Sequence, residues 1–182
     1  VGSEMCIRDR HFNCLRPHPP MVAPAPYHDL FEPRSVPQPI RQPSWQDAAG
    51  VHPFVAANIK HQRLNEYFAR PLHVSDVDAD LDGRMRATYY GNCAEVDANI
   101  GRMLDALDEL DLARDTVVVF TSDHGEQLGD HWLYGRRGYH DGHFHVPLIM
   151  RGAAHGISAG RRVDTFTEHV DLKKALQRIQ VI

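Results

Sequence analysis

A carboxylate, an imidazole and a glycine stand side by side at Asp123-His124-Gly125, directly after the β-branched run Thr116-Val117-Val118-Val119-Phe120-Thr121. Carboxylate oxygen and imidazole nitrogen both ligate divalent cations, and a sharp backbone bend, which Gly125 permits, lets the two converge on one ion. The same residues also suit a plain strand-end turn, with Asp123 as a cap and His124 as an exposed loop residue. Glu126 either orients His124 as an acceptor or is a surface carboxylate. Six of the 13 histidines fall between His124 and His155. Among them His140, His143 and His145 offer a rival chemistry. If His143 and His145 share a strand face and His140 folds back, three imidazoles could hold zinc without catalysis.

These groups need a scaffold, and the hydrophobic pattern supplies one. The Thr116–Thr121 run lacks alternation, as expected of a strand buried on both faces of a parallel sheet, and ligands of open α/β sheets bind beyond the carboxyl ends of such strands. Upstream, Met85, Tyr89, Cys93, Val96, Ile100, Met103, Leu104, Leu107 and Leu110 step by three and four, which predicts a long amphipathic helix with Cys93 on its core face. Gly91 and Gly101 weaken that helix by about 1 kcal/mol each, so packing must hold it. A second strand is expected at Val146–Met150, with Pro147 at its start or edge. Helices are expected over 54–68 and from Thr167 to Ile179. Ten of the 12 prolines lie between Pro17 and Pro53, which predicts an extended, irregular segment over about 17–53. The fold class that results is α/β, part of a mostly parallel sheet flanked by helices and incomplete.

Composition narrows the function classes. With 182 residues, a net charge of −4, 42% hydrophobic and 24% charged residues, the chain has the balance of a soluble globular domain. No basic run offers a footprint for nucleic acid or an anionic membrane, and no apolar stretch approaches the roughly 20 residues of a membrane span. The compartment, cytoplasmic or periplasmic, stays open. Cys6, Cys14 and Cys93 form no disulfide framework. Residues 1–10 lack any period and read as a non-native extension, leaving 11–182 as one partial domain. Leu172 to Ile182 stops within a helical pattern without a cap, so the chain reads as part of a longer frame.

The block Asp123-His124-Gly125-Glu126-Gln127-Leu128-Gly129-Asp130-His131, followed by Gly135-Arg136-Arg137-Gly138-Tyr139 and Val146-Pro147-Leu148-Ile149, resembles the C-terminal metal-site block of the sulfatase and phosphonate monoester hydrolase family, within the alkaline phosphatase superfamily. The resemblance extends upstream through Tyr89-Tyr90-Gly91, Glu95-Val96-Asp97, Leu15-Arg16-Pro17-His18-Pro19-Pro20 and Ala25-Pro26-Tyr27, covering about residues 15 to 172.

The resemblance implies a metal-dependent hydrolase of sulfuric or phosphonic acid esters, acting on small-molecule sulfate, phosphonate or phosphate esters, with a homo-oligomer open for the full-length protein. It implies Asp123 and His124 as ligands of a divalent metal, Ca or Mn. His18 would be a general acid facing the leaving-group oxygen, and Arg136 would contact the oxyanion where the family usually has lysine. Arginine keeps the charge but is planar and longer-reaching. The family's nucleophile is a formylglycine made from cysteine in a Cys-x-Pro-x-Arg or Cys-x-Ala-x-Arg motif, or a serine or threonine in phosphatase relatives. Neither Cys6 nor Cys14 stands in such a motif, so this chain offers no nucleophile, and formylglycine is expected only in a missing N-terminal part. Two ligand groups fall short of the six or so that calcium or manganese prefers, so the chain alone is expected to be inactive. A phosphodiesterase or phosphatase-type member of the superfamily is the nearest alternative; the non-catalytic histidine-rich zinc module is the other.

Overall fold

A computed structural model describes residues 10–179. The non-native extension expected over 1–10 thus falls almost wholly outside the described residues. Six helices and two strands follow in order: α1 (Trp45–Val51), α2 (Pro53–His61), α3 (Asn65–Phe68), α4 (Ala79–Glu109), β1 (Val118–Thr121), α5 (Asp141–Phe144), β2 (Leu148–Arg151) and α6 (His169–Ile179). Among the described residues no helix is long and apolar enough to cross a membrane.

The long helix α4 organises the rest. Asp78 caps it by accepting the Leu81 N–H at 2.8 Å. Its N-terminal half buries Met85, Ala87 and Gly91. A side chain at Gly91 would collide with the Tyr27 carbonyl, so this glycine, costly for the helix, is what lets the 3-10 turn Tyr27–Asp29 lie against it. Further along, Cys93, Ile100, Met103, Leu104 and Leu107 are only half-buried and Leu110 is exposed, so the predicted stripe is fully covered only at its start. The core gathers Ala48, Ile59, Leu64, Val74, Val77, Met85, Leu128, Leu133 and Tyr134, pressing α1, α2 and the 128–134 loop onto α4. Burying each large aliphatic chain contributes about 1.5–3 kcal/mol.

Several expectations shift in detail. The helix expected over 54–68 breaks into α2 and α3 because Gln62 is extended (φ −70, ψ 149). Its amide is spent on another segment: Nε2 donates to the Trp132 carbonyl at 3.0 Å and Oε1 accepts the Tyr134 N–H at 3.2 Å. The proline-rich 17–53 stretch is mostly irregular, yet it holds the Tyr27–Asp29 turn and α1, the latter started by Ser44, whose Oγ accepts the Asp47 N–H.

The fold is helix-rich with a small sheet, an incomplete α/β unit, but the two described strands do not run parallel. They pair antiparallel, Val118 opposite Arg151 and Thr121 opposite Leu148. The chain between them carries only the four-residue α5 and a 3-10 turn, not the crossover helix that a parallel pair requires. Nor is the pair covered on both faces: Phe120, Leu148 and Ile149 are exposed among the described residues. An ion pair from Arg151 to Asp108 at 3.0 Å ties β2 to the far half of α4.

Candidate active site

β1 delivers Asp123 and His124 at its carboxyl end, and the local backbone fixes how they sit. Ser122 Oγ donates to the His124 carbonyl at 2.7 Å, the Ser122 carbonyl faces His169 Nε2 of α6 at 2.8 Å, and Asp123 Oδ1 accepts the His124 N–H at 3.0 Å. Gly125 serves a purpose other than the expected bend. Its N–H donates to the His143 carbonyl at 2.7 Å, and a Cβ there would strike the Gly142 carbonyl, so glycine permits close approach to α5.

Asp123 Oδ2 and His124 Nε2 lie 3.6 Å apart. That separation suits two neighbouring ligands of one cation, each about 2.0–2.6 Å from it. His124 Nδ1 is 2.9 Å from the Gly125 carbonyl, which can only accept, so Nδ1 carries the proton and the Nε2 lone pair is left for a metal. These two donors fit a divalent ion as part of its shell. Among the described residues no three His, Cys, Asp or Glu side chains converge on a single point.

A cleft of about 470 Å³ opens beside this pair, lined by His18, His124 and Arg136 together with Arg137, Tyr67 and Glu126. Three of the four residues singled out by the family resemblance therefore meet. The fourth, Asp123, sits at the edge with its side chain 85% exposed. His18 is exposed in a turn closed by its own N–H to the Leu15 carbonyl, and its Nδ1 lies 2.6 Å from the Pro19 carbonyl. By the argument used for His124, Nδ1 keeps a proton there and Nε2 is the nitrogen free to act.

Arg136 reaches the cleft because the loop before it is clasped. One Glu126 oxygen accepts the Gly135 and Gln127 N–H groups, and the other accepts the Tyr67 hydroxyl at 3.4 Å. Glu126 thus orients Gly135 rather than His124, and it is no surface carboxylate. Burial pushes its carboxyl pKa up, opposed by the Gly135, Gln127 and Leu128 N–H groups. Gly135 sits at φ +82, and a Cβ on it would come 2.6 Å from the Tyr67 hydroxyl oxygen. Beneath, the buried Asp82 accepts the Tyr134 hydroxyl at 2.5 Å and pairs with Arg41 at 2.7 Å; Arg41 in turn covers the Trp132 ring at 3.9 Å. Arg86 Nη1 donates to the Leu128 carbonyl at 2.8 Å. These bonds stabilise a loop in which Leu128, His131 and Trp132 all hold positive φ.

The three histidines of the zinc reading go separate ways. His143 lies in α5, not on a strand, and His145 ends that helix exposed. His140 stacks on His131 with centroids 3.9 Å apart. Burial first, then the His131 charge, hold the His140 pKa below the ordinary imidazole range. The unfolded chain then binds the proton more readily, so this contribution to stability is present above about pH 6.5 and is lost as pH falls below it. Thermal midpoints between pH 7.5 and 5.5 should fall less in His140→Gln than in the parent; parallel slopes would refute this.

The sequence assigns no role to Tyr67, within the helix expected over 54–68, or to Arg137, within the block that carries the family resemblance. Only the fold brings residues from α3 and the 135–139 loop to one cleft.

Comparison with known proteins places the chain in a family. The Sulfatase family model matches residues 12–177, and the chain belongs to that family. It is 39% identical over 163 residues to the multifunctional alkaline phosphatase superfamily protein PehA of Trinickia caryophylli, covering 89% of this chain and 32% of that protein. Human arylsulfatase K is 41% identical over 88 residues, covering 48% of this chain and 16% of that protein. The phosphonate monoester hydrolase of Agrobacterium radiobacter superposes with a TM-score of 0.85 at 37% identity, over 91% of this chain and 33% of that one. The fold is accordingly alkaline-phosphatase-like, and the chain spans about a third or less of each of these relatives.

Proposed function

We propose that this chain forms the part of a metal-dependent sulfuric or phosphonic ester hydrolase that holds one side of the metal and handles the leaving group. The observation that carries the reading is the meeting of His18, His124 and Arg136 in one cleft with Asp123 at its edge. Asp123 and His124 would hold a divalent ion, Ca or Mn, which when bound supplies charge to polarise the ester oxygens. Arg136, an exposed guanidinium beside the half-buried Arg137, grips the anionic oxygens, two at a time where geometry allows. In its imidazolium form His18 would donate the Nε2 proton to the departing oxygen and be left neutral, while the Pro19 carbonyl holds the ring through Nδ1–H. No residue of this chain is assigned as nucleophile; the family's formylglycine belongs to the N-terminal part of such enzymes. The substrate is a small-molecule sulfate, phosphonate or phosphate ester.

The test is hydrolysis by the full-length protein of 4-nitrophenyl sulfate and of a phosphonate monoester, with phenyl leaving groups for comparison. Turnover of either ester is expected, and His18→Ala should slow the phenyl ester at least tenfold more than the nitrophenyl ester, because the better leaving group needs less protonation. Turnover of neither overturns the reading. Arg136→Ala should lower kcat/KM on the order of 100-fold, whereas Arg136→Lys should stay within about tenfold. Equal losses in both variants would show that the charge is not what matters.

A further inference from the structure

Two peptide planes bracket the Asp123-His124 pair, and each is held by hydrogen bonds. The plane after His124 is fixed at both its polar atoms: the His124 carbonyl accepts from Ser122 Oγ at 2.7 Å, and the Gly125 N–H donates to the His143 carbonyl at 2.7 Å. The plane before Asp123 carries the Ser122 carbonyl, which faces Nε2 of His169 at 2.8 Å. A carbonyl only accepts, so that nitrogen carries the proton and His169 donates. Thr121 Oγ1 donates to the same oxygen over a longer 3.4 Å. The His169 bond is the shorter of the two, and it comes from a side chain 47 residues further along the chain.

The start of α6 places His169 for this contact. The Asp171 side chain reaches back one turn, as in a capping box, and accepts the Glu168 N–H at 3.0 Å, while the Asp171 N–H donates to the Glu168 carbonyl at 2.9 Å. His169, the first residue of α6, thus has a fixed backbone from which its ring extends to the end of β1. What the bond does follows from how Asp123 is held. Its Oδ1 accepts the N–H of the next residue at 3.0 Å, a local bond that turns with the backbone. The direction of the carboxylate is therefore set by the peptide from which residue 123 springs. A turn of that plane changes the φ of Asp123 and with it the direction of the Cα–Cβ bond, and His169 is what anchors the plane to another element.

We propose that His169 is a positioning residue for the metal pair: its Nε2–H holds the Ser122 carbonyl so that Asp123 Oδ2 and His124 Nε2 stay 3.6 Å apart and converge on one divalent ion. This rests on the reading of Asp123 and His124 as metal ligands. His169 itself touches neither ion nor ester. It acts on the affinity for the metal, because ligands already at the right spacing lose less freedom when the ion binds. Once the ion saturates the site it holds both ligands itself, and the chemical step then runs as in the parent.

The experiment titrates the metal-free full-length protein with Mn²⁺ by calorimetry, in the parent and in His169→Ala, His169→Phe and His169→Gln. Loss of a group that orients metal ligands weakens binding by about 10- to 100-fold, so Kd should rise by at least about tenfold in the alanine and phenylalanine variants. Glutamine offers an amide N–H near the place of Nε2 and should keep Kd within about threefold of the parent. Circular dichroism of the metal-free proteins verifies folding, and the phenylalanine variant, which keeps a ring of similar size, decides the matter if the alanine variant fails to fold. With whichever ester the protein hydrolyses, turnover of His169→Phe should fall at Mn²⁺ concentrations near the parent Kd and return to within about twofold of the parent at saturation. An unchanged Kd in the alanine and phenylalanine variants, a rise in the glutamine variant as large as in phenylalanine, or a loss of kcat that saturating Mn²⁺ leaves in place overturns the proposal. A parent that takes up no Mn²⁺, or an Asp123→Asn variant that binds it as tightly as the parent, refutes the reading of the metal pair and the proposal with it. Affinity that falls in Asp123→Asn but not in the His169 variants refutes the proposal alone.

Discussion

Asp82→Ala should lower the free energy of local opening of the 128–135 loop by about 3–5 kcal/mol, because it leaves Arg41 and the buried Tyr134 hydroxyl without their shared partner. Asp82 is fully buried and Tyr134 is 1% exposed. The effect is read from hydrogen exchange of the Leu133 and Gly129 amides, which bond to Asp130 and Leu133 carbonyls respectively. Exchange should quicken by about two to three orders of magnitude. Asp82→Asn, which still accepts from Tyr134, should cost less. Unaltered exchange in the alanine variant would show that packing alone holds the loop.

The second large effect is catalytic. Glu126→Ala unfastens the Gly135 N–H and the Tyr67 hydroxyl at once, releasing Arg136 from its position one residue beyond the clasp. Misplacing a catalytic group by about 1 Å costs on the order of 100-fold, and that loss in kcat/KM is expected here. Glu126→Gln keeps an oxygen for the Gly135 amide and should recover activity to within about tenfold. Kinetics of both variants in the full-length protein, beside their circular dichroism, decide the matter. Wild-type kinetics in the alanine variant would remove Glu126 from any positioning role.

What the sequence reveals here follows from physical range. The stripe from Met85 to Leu110 recovered α4 because helical periodicity is local, yet it overstated the buried face, since burial of Cys93 and Leu110 depends on what packs there. β1 and the strand after Val146 were legible from their apolar runs, whereas their antiparallel pairing was not, because strand direction is set by the connection and not by composition. Gly125 was correctly marked as special for the wrong reason: close approach to Gly142 leaves no signature in sequence spacing. The Asp123-His124 pair is raised as a candidate by its place beyond a β-branched run, and His18 and Arg136 by family resemblance; the fold brings His18, His124 and Arg136 to one cleft. Glu126, Tyr67 and His169 emerge only in three dimensions, from contacts between segments far apart in the chain.

The central claim is that the Asp123-His124 pair serves an ester bound in the cleft with His18 and Arg136. The most direct measurement removes metal from the full-length protein with a chelator, then restores Mn²⁺ or Ca²⁺ while following turnover of 4-nitrophenyl sulfate and a 4-nitrophenyl phosphonate, in the parent and in Asp123→Asn. The parent should lose turnover and regain it with metal, and the variant should regain less than about a thousandth of it at the same concentration. Turnover indifferent to the chelator, with Asp123→Asn as active as the parent, would contradict the account.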